Sequence, residues 1–205
     1  MQTKDFATCH IVGAGDFHPR LLKKEAGDFI IAADGGYLHL KDAEIGCDLY
    51  VGDSDSLGFE PKDVEVLALP QVKDDTDTLA AVKAGLERGY RRFCLYGALG
   101  GKRFSHSVAN LSTLLFLDSV GAEGMILDQN GCITLLTKGA YRLPFPCRYF
   151  SLFAEKVASL SISGAKYNLE KASLRADFPL GVSNEGGEDT KIQIFSGKVF
   201  LILDF

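Results

Sequence analysis

Two short acidic motifs contain the residues of this chain best suited to chemistry. Residues 52–56 read GDSDS after an apolar run, and residues 73–78 read KDDTDT just before a helical pattern. Carboxylates gathered in this way repel one another and lose hydration at a cost, unless a cation neutralises them. Hard divalent cations take oxygen ligands, and Mg²⁺ commonly joins carboxylates to phosphate groups. The two motifs therefore predict a magnesium site that handles a phosphate compound.

The spacing of the aspartates supports this interpretation to different degrees in the two motifs. Asp53 and Asp55 are two residues apart, so both side chains can point the same way in an extended segment. Uncompensated charge at the end of a buried strand is costly, which favours a functional role for this pair. Asp74 and Asp77 are three residues apart at a predicted helix start and share a face. Helix capping, with Thr76 at the N-terminus, is the alternative explanation of the second motif.

Four glycine-containing turns follow successive apolar runs. They lie at residues 13–16 (GAGD), 34–36 (DGG), 52–56 and 97–101 (GALGG). In open α/β sheets ligands bind beyond the carboxyl ends of the strands, where glycine lets the backbone offer N–H groups to phosphate. Strand-to-helix turns use glycine in any case, but four on one edge predict a binding site. The first turn lacks the G-x-G-x-x-G pattern, which argues against a plain dinucleotide-binding domain.

Basic and polar residues follow the last glycine turn. Lys102 and Arg103 can neutralise charge on a transferring phosphoryl group, although a solvated pair on a turn is the alternative. His106, at a predicted helix start, can contact a phosphate or a base, or cap the helix. Asn110 lies one helical turn further on.

The elements that would position these residues fall into two halves. From residue 7 to about 130, short apolar runs alternate with helical patterns at residues 78–86 and 107–117. The predicted strands are residues 7–12, 29–33, 48–51, 64–69, 93–96 and 124–127. Continuous apolar strands imply burial on both faces, which is typical of a parallel sheet. We predict an α/β, doubly wound, mostly parallel sheet domain over residues 1–130.

The second half has a different pattern. After about residue 130 the helical spacing disappears, and short runs with strand character alternate with glycine and proline. The predicted strands are residues 133–137, 149–153, 157–162, 191–196 and 199–203. We therefore predict a smaller, antiparallel β-sandwich domain over residues 131–205.

Composition limits the possible partners. The chain has 205 residues, 46% of them hydrophobic, so it can bury a core without assistance. A net charge of −5 without a Lys/Arg block argues against nucleic acid and anionic membranes as partners. The five cysteines include no C-x-x-C pair and indicate reduced thiols. With no segment of bilayer-spanning length and a charged N-terminus, we predict a cytoplasmic protein with a small-molecule substrate.

The order of these motifs resembles the thiamine pyrophosphokinase family. Residues 34–36, 52–56, 73–77 and 100–106, followed by Asn110, occur in the family's order. Residues 163–169 (SGAKYNL) and 181–185 (GVSNE) are similar to the thiamine-binding motifs of its β-domain. A series of motifs in order is far more specific than any single member. The resemblance implies a homodimeric, Mg²⁺-dependent enzyme that transfers pyrophosphate from ATP to the hydroxyethyl oxygen of thiamine and releases AMP.

The resemblance also implies a set of site residues. The metal and phosphate positions correspond to Asp53, Asp55 and Asp74. The implied catalytic residues are these three with Asp77 and Arg103, and the implied nucleotide-binding residues are Asp34, Gly35, Gly36, Lys102, Arg103 and His106. The implied substrate-binding residues are Asp77, Asn110, Tyr167, Ser183 and Asn184, with Ser183 and Asn184 on a thiamine side completed across the dimer interface. Whether Lys102 or Arg103 takes the family's basic role, and whether Asp74 or Asp77 accepts the substrate proton, stays open.

Two departures from the family pattern leave alternatives. Ser105 stands where the family has an aspartate, and the chain has no Trp, so Tyr167 is the candidate for stacking on thiamine. One alternative is a related pyrophosphokinase that acts on a hydroxymethylpterin; the Ser183 and Asn184 motif favours thiamine instead. The other is a non-catalytic module that binds nucleotide or thiamine, and retention of the four aspartates of the acidic motifs argues against it.

Overall fold

The structure is a computed structural model that describes residues 7–53, 61, 64–70, 75–101, 104–144 and 148–205. The chain divides into two compact units, Met1–Asp128 and Gln129–Phe205. Four of the residues that the sequence analysis assigns to the site lie outside the described residues: Asp55, Asp74, Lys102 and Arg103.

The first unit contains a parallel sheet. Its strands are β1 (Thr8–Val12), β2 (Phe29–Ala33), β3 (Leu49–Gly52), β4 (Glu65–Ala68), β5 (Arg92–Tyr96) and β6 (Glu123–Asp128). Their order across the sheet is β6-β5-β1-β2-β3-β4, and every pair is parallel. The chain runs outward from β1 to β4 and then returns to the other side of β1. This confirms the predicted doubly wound arrangement and places a topological switch point between β1 and β5.

Three α-helices connect these strands in the described part of the chain: α1 (Gly36–Asp42), α2 (Asp77–Glu87) and α3 (Phe104–Ser119). A short 3₁₀ turn, Pro19–Leu21, follows β1. Helices α2 and α3 contain the predicted helical patterns at residues 78–86 and 107–117. None of the described helices is long and apolar enough to cross a membrane.

The core of the first unit lies along its central strands. All four residues of β3 are buried, as are the last four residues of β1 and of β2. The prediction that the strands are buried on both faces is wrong for β4, whose four residues are all exposed. In the described part of the chain, β4 pairs only with β3, because it is the outermost strand of the sheet.

The second unit contains two antiparallel groups of four strands. Its strands are β7 (Gly131–Leu136), β8 (Gly139–Arg142), β9 (Tyr149–Ala154), β10 (Val157–Ala165), β11 (Leu169–Arg175), β12 (Gly181–Asn184), β13 (Gly186–Ser196) and β14 (Val199–Asp204). One group has the order β12-β9-β14-β7 and the other β11-β10-β13-β8. Along β10, buried Ala158, Leu160 and Ile162 alternate with less buried serines, the pattern of a sheet with one face on a core.

Cysteine chemistry agrees with the reduced thiols that the sequence predicts. Among the described residues, Cys9, Cys47 and Cys132 are free cysteines. Burial raises the pKa of the Cys9 thiol to about 12. Cys9 therefore acts as a small buried hydrophobic residue rather than a nucleophile.

Candidate functional site

The turns that follow β1 and β5 lie side by side at the topological switch point. The Gly13 amide donates a hydrogen bond to the Tyr96 carbonyl at 2.8 Å, and the Gly15 amide donates to the Gly97 carbonyl at 2.8 Å. A third bond joins the Asp16 amide to the Leu99 carbonyl at 3.1 Å. These backbone bonds extend the pairing of β1 with β5 into the two glycine turns.

Glycine is required at this contact for reasons of space and conformation. A Cβ on Gly15 would lie 2.4 Å from the Leu99 carbonyl oxygen, closer than any side chain can approach. Gly97 has a φ of +56°, and a Cβ there would lie 2.4 Å from the Gly13 carbonyl oxygen. Any larger residue would separate the two turns.

A cavity of about 520 Å³ opens beside these turns. It is lined by the glycine turns after β1 and β5, by Asp16, by Thr78 from α2, and by His106 and Asn110 from α3. The Asp16 carboxylate occupies the space that a Cβ on Gly100 would need, at 2.1 Å from its Oδ2. Small residues with open backbone amides are typical of phosphate-binding loops.

Asn110 anchors this cavity to α3. Its side chain is 5% exposed, and Nδ2 donates a hydrogen bond of 2.7 Å to the Ala98 carbonyl in the glycine turn. His106, one turn earlier in α3, also faces the cavity. The structure therefore brings these two predicted site residues together. Ser105, which the resemblance marks as a departure from the family pattern, is exposed in the first turn of α3.

Asp34 is the most unusual residue of the next turn. It follows β2 with a left-handed φ of +50°, and its amide donates to the Val51 carbonyl at 2.9 Å. Its Oδ1 is buried and has no hydrogen-bond partner among the described residues. A buried carboxylate oxygen without a partner is costly, so this atom fits a bound cation or a ligand donor.

Gly35 and Gly36 start helix α1. Gly35 is the N-cap, and a Cβ on Gly36 would lie 1.9 Å from the Val12 carbonyl oxygen of β1. Only glycine allows this approach, which fixes the position of the turn that contains Asp34.

Asp53 lies at the end of β3, next to the turn that follows β2. Ala33 pairs with Val51, so the residues that follow these two strands start from neighbouring positions. The Tyr50 hydroxyl donates a hydrogen bond of 3.2 Å to the Asp53 carbonyl. Among the described residues no group of three His, Cys, Asp or Glu side chains is arranged to bind a metal. Because Asp55 and Asp74 lie outside those residues, the metal site with Asp53 stays a prediction.

The second acidic motif combines capping with a candidate site. The Thr76 hydroxyl accepts a hydrogen bond of 3.2 Å from the Leu79 amide, so Thr76 is the N-cap of α2. Asp75 forms an ion pair of 2.6 Å with Lys83. Asp77 is the first residue of α2 and is partly buried, and its predicted role stays open.

The predicted thiamine-side residues come together in the second unit. Asn184 Oδ1 accepts hydrogen bonds from the amides of Tyr167 at 3.0 Å and Glu185 at 2.9 Å, and Nδ2 donates to the Tyr167 carbonyl at 2.7 Å. Ser183 is exposed with a left-handed φ of +54°, and its amide donates to Ser151 Oγ at 3.0 Å. The Tyr167 side chain is 61% exposed. Asn184 therefore positions the Tyr167 backbone, whereas Tyr167 and Ser183 are exposed.

Comparison with known families identifies both halves of the chain. The family model described as "Thiamin pyrophosphokinase, catalytic domain" matches residues 20–123. The model described as "Thiamin pyrophosphokinase, vitamin B1 binding domain" matches residues 141–199. The chain belongs to the thiamin pyrophosphokinase family. It is therefore an enzyme of that family, which confirms the predicted family and enzyme class.

Solved structures agree with this membership at the level of the fold. The thiamine pyrophosphokinase of Bacillus subtilis superimposes with a TM-score of 0.85 at 22% identity, over 96% of this chain and 98% of that one. The thiamin pyrophosphokinase of Geobacillus thermodenitrificans gives 0.83 at 24% identity, over 97% of each chain. The yeast enzyme gives 0.79 at 14% identity, over 98% of this chain and 87% of that one. A search of the curated proteins finds no match.

Sequence reasoning did not assign three residues of the thiamin pyrophosphokinase site region. Asp16 and Thr78 line the cavity, and Tyr50 contacts the backbone of Asp53. Asp16 ends the first glycine turn and Thr78 ends the second acidic motif, so position within a motif was the available signal for those two. No motif contains Tyr50. The sequence of a short, buried strand does not indicate where the hydroxyl of a tyrosine within it points.

Proposed function

We propose that this protein transfers pyrophosphate from ATP to the hydroxyethyl oxygen of thiamine and yields thiamine diphosphate and AMP. The observation that carries the proposal is the glycine-lined cavity at the switch point. Beside it, in the turn after β2, Asp34 Oδ1 is buried with no hydrogen-bond partner among the described residues. Such a cavity suits a nucleotide polyphosphate. The match of residues 141–199 to the vitamin B1 binding domain supports thiamine as the acceptor.

The ATP polyphosphate would lie along the glycine turns. Amides of the turn after β5 can donate to phosphate oxygens, whereas the Gly13, Gly15 and Asp16 amides after β1 already donate to carbonyls of that turn and its strand. His106 lies where it can contact a phosphate or the base. Lys102 or Arg103, which directly follow Gly101, would offset the negative charge that builds on the transferred group.

The acidic residues fit a requirement for Mg²⁺. Asp53, Asp55 and Asp74 would bind the cation, and the unpartnered buried oxygen of Asp34 supports a cation or its bound water in this region. When bound, Mg²⁺ neutralises polyphosphate charge and so supports attack at the β-phosphorus. One or two direct carboxylate ligands suffice, because Mg²⁺ keeps several waters.

The chain's own residues would supply the rest of the catalysis by positioning the substrates and moving a proton. The thiamine hydroxyl must approach the β-phosphorus in line, and Asp74 or Asp77 would accept its proton. Tyr167 would stack on thiamine, Ser183 would contact it, and Asn184 would fix the turn that carries Tyr167. We further propose a homodimer in which the thiamine site is completed at the interface.

A product assay tests the proposal. Purified protein incubated with thiamine, ATP and Mg²⁺ should form thiamine diphosphate and AMP in equal amounts, measured by chromatography. Excess EDTA should abolish the products. Asp55→Asn should lower turnover by about 10²-fold or more, since a central electrostatic group is lost.

Other products would contradict the proposal in distinguishable ways. Formation of ADP and thiamine monophosphate would indicate simple kinase chemistry. Turnover with a hydroxymethylpterin in place of thiamine would favour the related pyrophosphokinase. Binding of ATP or thiamine without any product would favour the non-catalytic module.

A further inference from the structure

Tyr50 is a polar side chain inside an apolar strand. It lies in the middle of β3, is 1% exposed, and packs in a core cluster with Val12, Ile30, Ala32, Leu40 and Tyr96. A buried tyrosine hydroxyl normally needs a hydrogen-bond partner. It finds one three residues further along the chain, at the carbonyl of Asp53.

Gly52 makes room for this hydroxyl. Residues 50 and 52 are two positions apart in a strand, so they face the same side of the sheet. A Cβ on Gly52 would lie 2.5 Å from the Tyr50 hydroxyl oxygen. Gly52 does not have a positive φ, so space and not conformation explains the glycine at this position. The Tyr50 hydroxyl therefore lies over Gly52 and reaches the first residue after the strand.

The ring of Tyr50 is itself positioned by the element that follows Asp34. It contacts the edge of Tyr37, with ring centroids 5.7 Å apart and an interplanar angle of 77°. Tyr37 lies in the first turn of α1, which starts directly after the Asp34 turn. The Asp34 amide in turn donates to the Val51 carbonyl of β3. Tyr50 thus connects the turn that contains Asp34 with Asp53, the first residue after β3.

We propose that Tyr50 is a positioning residue for Asp53. Its hydroxyl fixes the Asp53 backbone, so that the Asp53 carboxylate is already oriented when a divalent cation arrives. The inference rests on the proposed Mg²⁺-dependent function and assigns the affinity for the cation partly to a residue that does not bind it. Without the hydroxyl, the Asp53 backbone must be fixed at the moment of cation binding, which weakens binding.

Tyr50→Phe tests this role because it removes only the hydroxyl. Mn²⁺ titrated into protein with a non-hydrolysable ATP analogue can be followed by electron paramagnetic resonance, which needs no turnover. We expect the Kd for Mn²⁺ to rise by about three- to tenfold, the size of effect of one net hydrogen bond. In the assay, the Mg²⁺ concentration at half-maximal rate should rise by the same factor. The kcat at saturating Mg²⁺ should change by less than about twofold, because the loss lies in binding.

Tyr90→Phe is the matched control. The Tyr90 hydroxyl also donates to a backbone carbonyl at 3.2 Å, that of Gly27 in the same unit, but Gly27 precedes β2 at the opposite end of the strand. Both variants should lower the melting temperature without cation, and only Tyr50→Phe should lower the further rise that Mn²⁺ causes. Equal Kd values for Mn²⁺ in the two variants would overturn the inference and leave the proposed function intact. A failure of the unaltered protein to bind Mn²⁺ would overturn both.

Discussion

At the scale of single residues, Asp34 combines two features that disfavour folding. A non-glycine residue with a left-handed φ is strained, and Asp34 also has a buried oxygen without a partner in the described part of the chain. Asn would adopt the same conformation at least as readily and would carry no charge. A charged residue at such a position indicates a requirement of the site rather than of the fold.

Asp34→Asn should therefore separate function from stability. We expect turnover with thiamine and ATP to fall by about 10²-fold, because the charge that faces the cation or phosphates is lost. The melting temperature of the protein without ligands should stay the same or rise, because the buried Oδ1 has no hydrogen-bond partner among the described residues that the substitution would remove. Asp42→Asn is the control, since Asp42 is an exposed aspartate at the end of α1. A variant with normal turnover and a lower melting temperature would make Asp34 a structural residue.

Asn184 shows why residue roles cannot be taken from a motif alone. The sequence predicts that Asn184 binds substrate, and it lies beside Ser183 and close to Tyr167 as expected. Its amide, however, already bonds the backbone of Tyr167 twice and the amide of Glu185 once. A motif gives the residue type and its position in the chain, whereas the partners of an amide depend on which turn folds back on it.

At the scale of elements, Asp28 connects the first two strands at their amino ends, the end of the sheet away from the candidate site. It precedes β2, and its carboxylate accepts hydrogen bonds from the Thr8 amide at 2.6 Å, the Glu25 amide at 2.9 Å and His10 at 3.0 Å. The side chain is 7% exposed. Burial alone would raise the pKa of Asp28, but the hydrogen bonds from His10, Glu25 and Thr8 outweigh it, and the pKa lies below its usual value.

The lowered pKa of Asp28 predicts a pH-dependent contribution to stability. A group whose pKa is lower in the folded state stabilises the fold above its unfolded pKa, about 3.9, and loses that contribution as the pH falls through its folded pKa. Asp28→Asn should therefore lower the free energy of unfolding at neutral pH by about 1.5–3 kcal/mol, the range for hydrogen bonds to a charged group. Urea denaturation at several pH values should show this difference shrinking below about pH 4.

Asp177→Asn provides the comparison for Asp28→Asn. The Asp177 carboxylate pairs with Arg175, and this pairing lowers its pKa, but both side chains are exposed. Its removal should change stability little at any pH. A pH-independent loss of stability in Asp28→Asn would show that the amide fails to replace the carboxylate for reasons other than charge.

Which elements could be predicted depends on whether burial leaves a pattern in the sequence. The central strands and helices α2 and α3 have long apolar runs or helical spacing, and they were predicted. Helix α1 was missed because it has seven residues and starts on two glycines, which sequence reasoning assigns to a turn. Strands β8, β11 and β12 were missed because they are exposed at many positions and lack an apolar run. The exposure of β4 could not be predicted, because strand order decides which strand lies at the edge.

At the scale of the whole molecule, the change of pattern near residue 130 indicated two domains, and the structure divides the chain after Asp128. The position of the cavity follows from strand order, because the turns after β1 and β5 are neighbours only if the chain reverses at β1. The sequence placed glycines in both turns but gave no order for the strands. It therefore predicted the edge of the sheet that forms a site, and not which two turns enclose it.

The second unit exposes three apolar side chains, close together in sequence, that bear on the proposed homodimer. Phe178, Leu180 and Val182 are 64%, 49% and 46% exposed, and they lead directly to Ser183. Exposed apolar side chains close together in sequence and next to a ligand-binding candidate are typical of an interface. We expect the protein to sediment at twice the mass of its chain.

Val182→Lys should weaken this dimer because it places a charge among these apolar side chains. Analytical ultracentrifugation should show dissociation at micromolar protein concentrations, and the KM for thiamine should rise as the protein is diluted. Val120→Lys is the matched control, since Val120 is 44% exposed, nearly the same as Val182, but lies just after α3 in the first unit. If the unaltered protein sediments as a single chain and still forms thiamine diphosphate, the interface is not needed for the site. If Val182→Lys stays dimeric with an unchanged KM, the partner contacts a different surface.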